Sequence, residues 1–218
     1  AEQQRARAIA LRRLAGESVL LDATPVREIA ARFPGATAIA RAAGLDPTRD
    51  GLPVTAAAHF HMGGISTDLQ GATSMPGLWA CGEVASTGLH GGNRLASNSL
   101  LEGLVFGARV AGAVQAAKLP MPTGAPHLPR RRATDPADPE RILALRRLIG
   151  RSLGPVRNGR ALSEALAEVT SVTPASCAEE DLATVARLLL RAALERRESR
   201  GAHYRLDYPM RIALSRVA

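Results

Sequence analysis

The chain has 218 residues, of which 46% are hydrophobic and 22% are charged, a balance typical of a globular protein and not of a disordered or fibrous one. Aromatic residues make up only 3%, and the formal net charge is +8. We find no run of about 18 apolar residues and no signal-peptide pattern, so we expect no membrane span and predict a cytoplasmic protein.

Arginine supplies 27 of the 28 basic residues, a bias that we interpret as the mark of a GC-rich gene. The positive charge favours anionic ligands. Basic residues do not alternate with aromatic ones, so we predict no nucleic-acid binding and interpret 130–132 as part of a solvated linker. Cys81 and Cys177 lack metal-site spacing, so we expect two reduced thiols and no metal.

The first fifty residues predict short helices around one strand. Residues 2–15 form an arginine-rich helical pattern that ends at Gly16, and a short strand follows at 19–21. Thr24 then stands as a helix cap with Pro25 at the first helical position. An alanine-rich helix is expected from Pro34 to Gly44.

Residues 53–82 change to a β-type pattern with tight turns, in which 78–83 reads as a buried strand ending in a turn. A largely apolar helix, which we expect to be buried, follows from Ser97 to about Ala117. Five prolines within 119–137 indicate a linker.

Three amphipathic helices are predicted at roughly 138–152, 159–169 and 178–197, and short loops of this kind favour an antiparallel bundle. We expect the third to bury Leu182, Val185, Leu188, Leu189 and Ala192. Gly201 is predicted to close that helix, and 203–209 to form an extended tail.

One loop, residues 87–97, combines adjacent glycines with His90, Asn93 and Arg94 directly before a helix start. A helix N-terminus offers free N–H groups and partial positive charge, which suits a flavin or another anionic group. Arg94 can bind a carboxylate bidentately, and His59, next to a Gly-Gly pair, can donate to another. His90 is interpreted as a support of the loop, and His61 as solvent-facing.

Glu83 ends the predicted strand, where it can accept hydrogen bonds from a ribityl or ribose hydroxyl. A glutamate in an ordinary surface turn is the alternative interpretation. The sequence shows no serine, cysteine or paired-carboxylate arrangement for nucleophilic or glycosidase chemistry.

Four motifs together resemble the succinate dehydrogenase/fumarate reductase flavoprotein superfamily. They are AAHFHMGGISTD at 57–68, GLWACGE at 77–83, TGLHGGNRLASNSLLE at 87–102, and RESRGAHY at 197–204 with a following DYP. Ala96, where the respiratory flavoproteins usually have glycine, makes the third motif similar to the L-aspartate oxidases of this superfamily.

The resemblance implies an α+β chain: the end of a capping domain (1–50), the C-terminal part of an FAD-binding α/β domain (51–118), the linker (119–137), and a three-helix bundle with its tail (138–218). It also implies FAD-dependent oxidation of L-aspartate to iminoaspartate, with oxygen or fumarate as acceptor, in NAD biosynthesis. By motif position, Glu83, Ser99 and Leu100 contact FAD, whereas His59 and Arg94 hold the substrate carboxylates. Quinolinate synthase is the expected partner.

The chain departs from the superfamily in two places that matter for activity. It lacks the Gly-x-Gly-x-x-Gly dinucleotide fingerprint, and Glu2 stands near the position of the proton-transferring arginine, so no catalytic residue is assigned. We therefore expect a fragment that is inactive alone. Gly92 replaces the usual alanine, a change that we expect to be tolerated.

Three other functions stay open on the sequence alone. The chain can belong to a fumarate reductase or succinate dehydrogenase flavoprotein subunit, although Ala96 and the short helical region disfavour this. It can also be a non-catalytic interaction module on a degenerate flavin fold. An arginine-rich nucleic-acid binder is the third, and it predicts steeply salt-dependent DNA binding.

Overall fold

A computed structural model describes residues 2–117 and 136–210 of the chain. The chain divides into two compact units. One consists of residues 1–57 with 154–156, and the other of residues 58–153 with 157–218. The domain boundaries predicted from the sequence remain a prediction.

The first unit contains three helices and one small sheet. Helix α1 spans Glu2–Leu14, β1 Leu20–Leu21, α2 Ile29–Arg32, α3 Pro34–Ala42 and β2 Leu52–Pro53. The two strands pair antiparallel, with Leu20 opposite Pro53. Helix α1 ends where predicted, because Gly16 adopts the left-handed conformation (φ 82°) that closes a helix.

The helix start predicted at Thr24 and Pro25 is wrong. Both the backbone N–H and the hydroxyl of Thr24 donate to Asp22 Oδ1, at 3.0 and 2.7 Å. These two hydrogen bonds make a turn around Asp22 and lower the pKa of its carboxyl group. Helix α2 begins only at Ile29, after Glu28 in the left-handed region.

The second unit begins with a parallel pair of short strands and a long helix. Strand β3 (Ile65–Ser66) pairs with β4 (Ala85–Ser86), which follows a 3₁₀ turn at Gly82–Val84. Helix α4 spans Asn98–Ala117. The buried strand predicted at 78–83 is wrong: only Trp79 forms a bridge, to Ala72, and Leu78 is exposed.

Helix α4 lies where predicted, but it is not buried. Its buried residues are Glu102 and Phe106, whereas Leu100 and Leu104 are about three-quarters exposed (75% and 73%). The only other element with which it makes extensive contact in the described part of the chain is the 3₁₀ turn at Gly82–Val84. An apolar composition therefore did not imply burial here.

Helix α4 is also the one helix of the described ranges that is long and apolar enough to cross a membrane by length and composition. The core helices of soluble proteins pass the same test, so this is weak evidence for a span. Glu102 and Arg109 lie within the helix.

Three further helices share one hydrophobic core: α5 (Pro139–Ser152), α6 (Gly159–Ser171) and α7 (Cys177–Glu195). Each begins at a polar cap whose side chain accepts a backbone N–H: Asp138, Asn158 and Ser176. The predicted helices are thus present. The predicted linker and its basic run lie outside the described residues, except for 136 and 137.

The buried face predicted for α7 is only partly right, since Leu182 packs against the core. The core residues are Ala183, Ala186, Leu190 and Ala193, while Val185 and Leu188 are exposed. Apolar residues occur on two faces of this helix, so hydrophobic spacing alone allowed either register. The observed face is the one whose alanines permit close approach of α6.

The end of the described chain is not an extended tail. Helix α7 ends at Glu195, and Gly201 lies beyond it in a turn between Arg200 and His203. A second bridge joins Arg205 to Tyr208. Both His203 and Arg205 are buried.

Candidate functional site

The loop that joins β4 to α4, residues 87–97, is built from successive tight turns; we call it the Arg94 loop. Gly88 and Gly91 have positive φ (83° and 54°), and the Gly91 N–H donates to the Gly88 carbonyl at 3.1 Å. Ser97 also lies in the left-handed region, at φ 65°. These residues bring the chain sharply into α4, which has no acidic side chain in its first turn.

Arg94 is the half-buried cation of this loop. Its guanidinium stacks over the Phe60 ring, 4.3 Å from the ring centre, and donates to Ser99 Oγ at 3.3 Å. The Arg94 backbone N–H donates to the Met62 sulfur at 3.2 Å. The Arg94 Nε–H is buried and has no acceptor among the residues that the structure describes. A guanidinium held this way keeps donors available for an anionic ligand.

His59 lies on the loop that supplies Phe60, so it is adjacent in sequence to the ring under Arg94. Its own side chain is exposed. The same loop continues to Gly64 at φ 140°, where a Cβ would overlap the Val84 carbonyl oxygen. The loop thus carries one predicted substrate residue, His59, and packs against the turn that carries Glu83.

The residues predicted to contact FAD lie at two places in the second unit. Glu83, in the 3₁₀ turn, is exposed and accepts the His61 backbone N–H at 3.1 Å. Ser99 and Leu100 form the first turn of α4, and Leu100 is exposed. The contact of Ser99 with Arg94 links the predicted FAD set to the predicted substrate set, whose roles remain predictions.

Sequence reasoning missed Phe60, Met62 and Glu102 in this site. Together with neighbouring residues, they line a small cavity of about 30 Å³, which has room for about one water molecule. Glu102 is the one acidic residue of α4. A lone carboxylate inside an apolar helix was the signal that could have found it.

The turn at 200–203 packs directly on the Arg94 loop. The Ala202 N–H donates to the Gly92 carbonyl at 3.0 Å, and a Cβ on Gly201 would overlap that carbonyl. A Cβ on Gly92 would lie 3.0 Å from Arg200 Cγ and 3.2 Å from the Gly201 backbone. An alanine at 92 therefore needs a small local shift in this structure, whereas glycine needs none.

Arg205 attaches the segment that follows α7 to the C-terminal end of that helix. Its buried guanidinium donates to the Ala193 carbonyl at 2.7 Å and bidentately to Asp207, at 2.8 and 2.7 Å. Hydrogen bonding from Arg205 lowers the pKa of Asp207 to about 2. The Asp207 carboxylate also accepts the Gly159 N–H at 3.0 Å, at the start of α6.

His203 is neutral in this arrangement. Its Nδ1 accepts from the Arg157 guanidinium at 2.9 Å, and its Nε2–H donates to the Arg196 carbonyl at 3.0 Å. Burial is the main cause that lowers the pKa of His203, with the nearby arginines adding to it. Burial also lowers the pKa of Arg157.

No group of three or more metal-ligating side chains occurs within the ranges that the structure describes. By their own chemistry, Arg94 can bind a carboxylate, and Glu83 together with the start of α4 can bind a polar cofactor.

Two protein-family models match the chain. The model described as an FAD binding domain matches residues 2–100, and the one described as the fumarate reductase flavoprotein C-terminus matches residues 175–214. The Arg94 loop and Glu83 fall inside the first match, and the 200–203 turn inside the second.

Solved structures of two respiratory flavoproteins resemble this chain in fold. A variant of FrdA from Escherichia coli quinol fumarate reductase has a TM-score of 0.73 at 25% identity, covering 98% of this chain and 44% of its own. Mycobacterium smegmatis Sdh1 has a TM-score of 0.75 at 29% identity, covering 97% and 42%.

Curated relatives are more similar in sequence. The L-aspartate oxidase of Rhodospirillum rubrum is 47% identical over 89% of this chain and 73% of its own length. Those of Mesorhizobium japonicum and Pyrococcus abyssi are 45% and 41% identical over 95% and 94% of the chain, which spans 40% and 42% of their lengths. The chain belongs to the L-aspartate oxidase family.

Proposed function

We propose that the protein carrying this chain is an FAD-dependent oxidoreductase that converts L-aspartate to iminoaspartate, with oxygen or fumarate as electron acceptor. The single observation that supports it best is Arg94, whose guanidinium is held over Phe60 and uses Nη1 to donate to Ser99 Oγ, so that further Nη donors can bind a substrate carboxylate.

The residues present fit FAD on three observations. The 20-residue helix α4 begins beside Arg94 without an acidic residue in its first turn, so its N-terminal N–H groups favour a negatively charged ring. Glu83 is an exposed acceptor for cofactor hydroxyls. Leu100 offers an exposed apolar surface. We infer that Glu83, Ser99 and Leu100 would hold FAD, and that the bound cofactor would supply the hydride acceptance and electron transfer that the oxidation requires.

The other proposed roles belong to the substrate residues. Arg94 binds one carboxylate with two parallel hydrogen bonds, and His59 donates to the second. Two fixed contacts orient a small substrate, and orientation alone contributes a large part of rate enhancement. Phe60 keeps water from one face of the guanidinium, which strengthens its pairing with the carboxylate. We assign no proton-transferring residue among those that the structure describes.

The chemistry of the product indicates which kind of enzyme must use it next. An imine hydrolyses in water, so it requires prompt use by a condensing enzyme, and we propose quinolinate synthase, in cytoplasmic NAD biosynthesis, as that partner. Incubating the purified pair with aspartate, an electron acceptor and the three-carbon co-substrate that the synthase condenses with the imine tests this, because more quinolinate should form than when the oxidase product is aged before the synthase is added.

Replacing Arg94 with alanine tests the proposed substrate role. In the complete FAD-loaded protein, Arg94→Ala should raise the KM for L-aspartate about 10- to 100-fold, since hydrogen bonds to charged groups contribute about 1.5–3 kcal/mol each. Flavin absorbance should show that FAD remains bound. Steady-state kinetics of aspartate-dependent acceptor reduction measure the effect.

Arg109→Ala is the matched control, because Arg109 lies on the exposed side of the same helix and donates to the Leu69 carbonyl. It should leave KM unchanged. Loss of FAD from Arg94→Ala, with an unchanged KM in the protein that still holds it, would contradict the role.

The flavoprotein subunit of a fumarate reductase or succinate dehydrogenase is the second candidate, favoured by the fold likeness to FrdA and Sdh1. The higher identity to L-aspartate oxidases favours the first. Comparing L-aspartate with succinate as electron donors to the same purified protein separates them.

A further inference from the structure

Glu102 is a buried carboxylate that the proposed function leaves without a role. Its side chain is 2% exposed, on a helix whose other side chains are mostly solvent-exposed. A carboxylate removed from water is costly unless it is fully hydrogen-bonded. Glu102 meets this requirement through the Thr87 hydroxyl, 2.5 Å from Oε1, and His90 Nε2, 2.6 Å from Oε2.

The Thr87 hydroxyl holds the Glu102 carboxylate, and the carboxylate in turn holds the His90 ring within the Arg94 loop. His90 Nε2 donates to the carboxylate, and the His90 side chain is 12% exposed. The His90 ring meets the Phe60 ring edge-on, with centroids 5.6 Å apart and planes at 87°. This geometry is a favourable one for two aromatic rings, so it restrains Phe60 as well.

Phe60 is also the ring beneath the Arg94 guanidinium, at 4.3 Å. A continuous series of contacts therefore runs from Glu102 through His90 and Phe60 to Arg94. The Ser99 hydroxyl, 3.3 Å from Arg94 Nη1, is the other side-chain contact of the guanidinium. The hydrogen bond to Ser99 restrains the direction of one N–H group of Arg94. The face of the Phe60 ring restrains the plane of the whole guanidinium, which is the plane in which it binds a carboxylate.

We propose that Glu102 and His90 are positioning residues: by fixing the Phe60 ring they set the plane of the Arg94 guanidinium for the substrate carboxylate. The inference rests on the proposed function, and neither residue touches the substrate. Replacing Glu102 or His90 should therefore weaken the binding of the substrate carboxylate by Arg94 and leave FAD binding unchanged.

Four variants of the complete FAD-loaded protein test the proposal. Glu102→Ala should raise the KM for L-aspartate about tenfold, and Phe60→Leu should do the same, because each releases the guanidinium plane. Glu102→Gln should restore KM to within about threefold of the unchanged protein, since an amide still accepts from Thr87 and still bonds His90. Glu102→Ala with Phe60→Leu should be no worse than the weaker-binding single variant.

Phe106→Leu is the matched control. Phe106 is the other buried residue of α4, one turn beyond Glu102, and lies outside the lining of the small cavity that Phe60, His90 and Glu102 share. It should loosen the helix while leaving KM unchanged. Flavin absorbance in every variant confirms that FAD is retained.

Three outcomes with the four variants would overturn the proposal: an unchanged KM in Glu102→Ala, an unchanged KM in Phe60→Leu, or additive effects in the double variant. His90→Gln keeps a donor for Glu102 but removes the ring edge that restrains Phe60, so it decides the matter if Glu102→Ala does not fold: an unchanged KM in His90→Gln would overturn the proposal. Failure of the proposed function looks different, because the unchanged protein itself would then show no aspartate-dependent flavin reduction.

Discussion

Gly201 shows how much one residue without a side chain determines in this structure. Its φ of +59° lies in the left-handed region, and a Cβ there would overlap the Gly92 carbonyl oxygen. The position therefore excludes other residues both by conformation and by space.

We expect Gly201→Ala to lower the free energy of unfolding by more than about 1 kcal/mol, because it combines backbone strain with overlap. It should also raise the KM for L-aspartate, since the overlap displaces the Arg94 loop. Urea unfolding followed by circular dichroism, together with the kinetic assay, measures both effects.

Gly150→Ala is the control, because it adds the same methyl group at a position that has room for it. Gly150 lies inside α5 with nothing near its would-be Cβ, so alanine should stabilise the helix by up to about 1 kcal/mol. An unfolding midpoint of Gly201→Ala at or above that of Gly150→Ala would refute the steric argument.

Single residues of the site were partly predictable. Arg94 stands out in the sequence because it lies among glycines before a helix, and the structure shows it fixed and half-buried. Phe60 and Glu102 did not stand out, since their importance comes from contacts between segments distant in sequence. A pattern read along the chain cannot report such contacts.

Among the elements, the helices with strong polar caps were predicted to within about two residues. Asn158 and Ser176 each bond an N–H of the turn that they start, a local interaction that the sequence displays. The start at Thr24 was wrong: the backbone N–H and the hydroxyl of Thr24 both donate to Asp22 in a local turn, and the helix begins only at Ile29. The buried faces were less predictable, because they depend on which neighbouring helix approaches.

Helix α7 offers a direct test of its observed face. Leu190 is fully buried, whereas Leu188, two residues earlier, is 64% exposed. Leu190→Ala should reduce the free energy of unfolding by about 2–5 kcal/mol, because it opens a cavity in the core. Leu188→Ala should change it by less than about 0.5 kcal/mol.

Denaturant unfolding of the two variants measures the difference under identical conditions. The two changes remove the same atoms from the same helix, so helix propensity contributes equally. Equal destabilisation, or a larger effect at Leu188, would restore the face predicted from the sequence and contradict the core described here.

Over the whole molecule, the family and the mixed helix-and-strand composition could be predicted, because long motifs such as the one at 87–102 carry them. The exposure of α4 could not, since burial depends on what packs against a helix and not on its composition. A groove of about 380 Å³ lies along α4, lined largely by apolar side chains that include Leu101 and Val105.

A protein of these 218 residues should therefore bind the hydrophobic dye ANS in its native state, with increased dye fluorescence. Leu101→Gln should reduce that increase, because it places an amide in the groove. Leu14→Gln, at an exposed leucine of α1, should leave it unchanged. Fluorescence titration measures all three, and dye binding unaffected by Leu101→Gln would locate the apolar surface elsewhere.

The contact between Gly92 and the turn at 200–203 has a consequence for the order of folding. It joins segments separated by half of the chain, and closing so long a loop is entropically costly and comes late. During synthesis, Arg94 leaves the ribosome long before Ala202 exists to support the loop beside it. The Arg94 loop therefore reaches its final form only after the last helix has been made and docked.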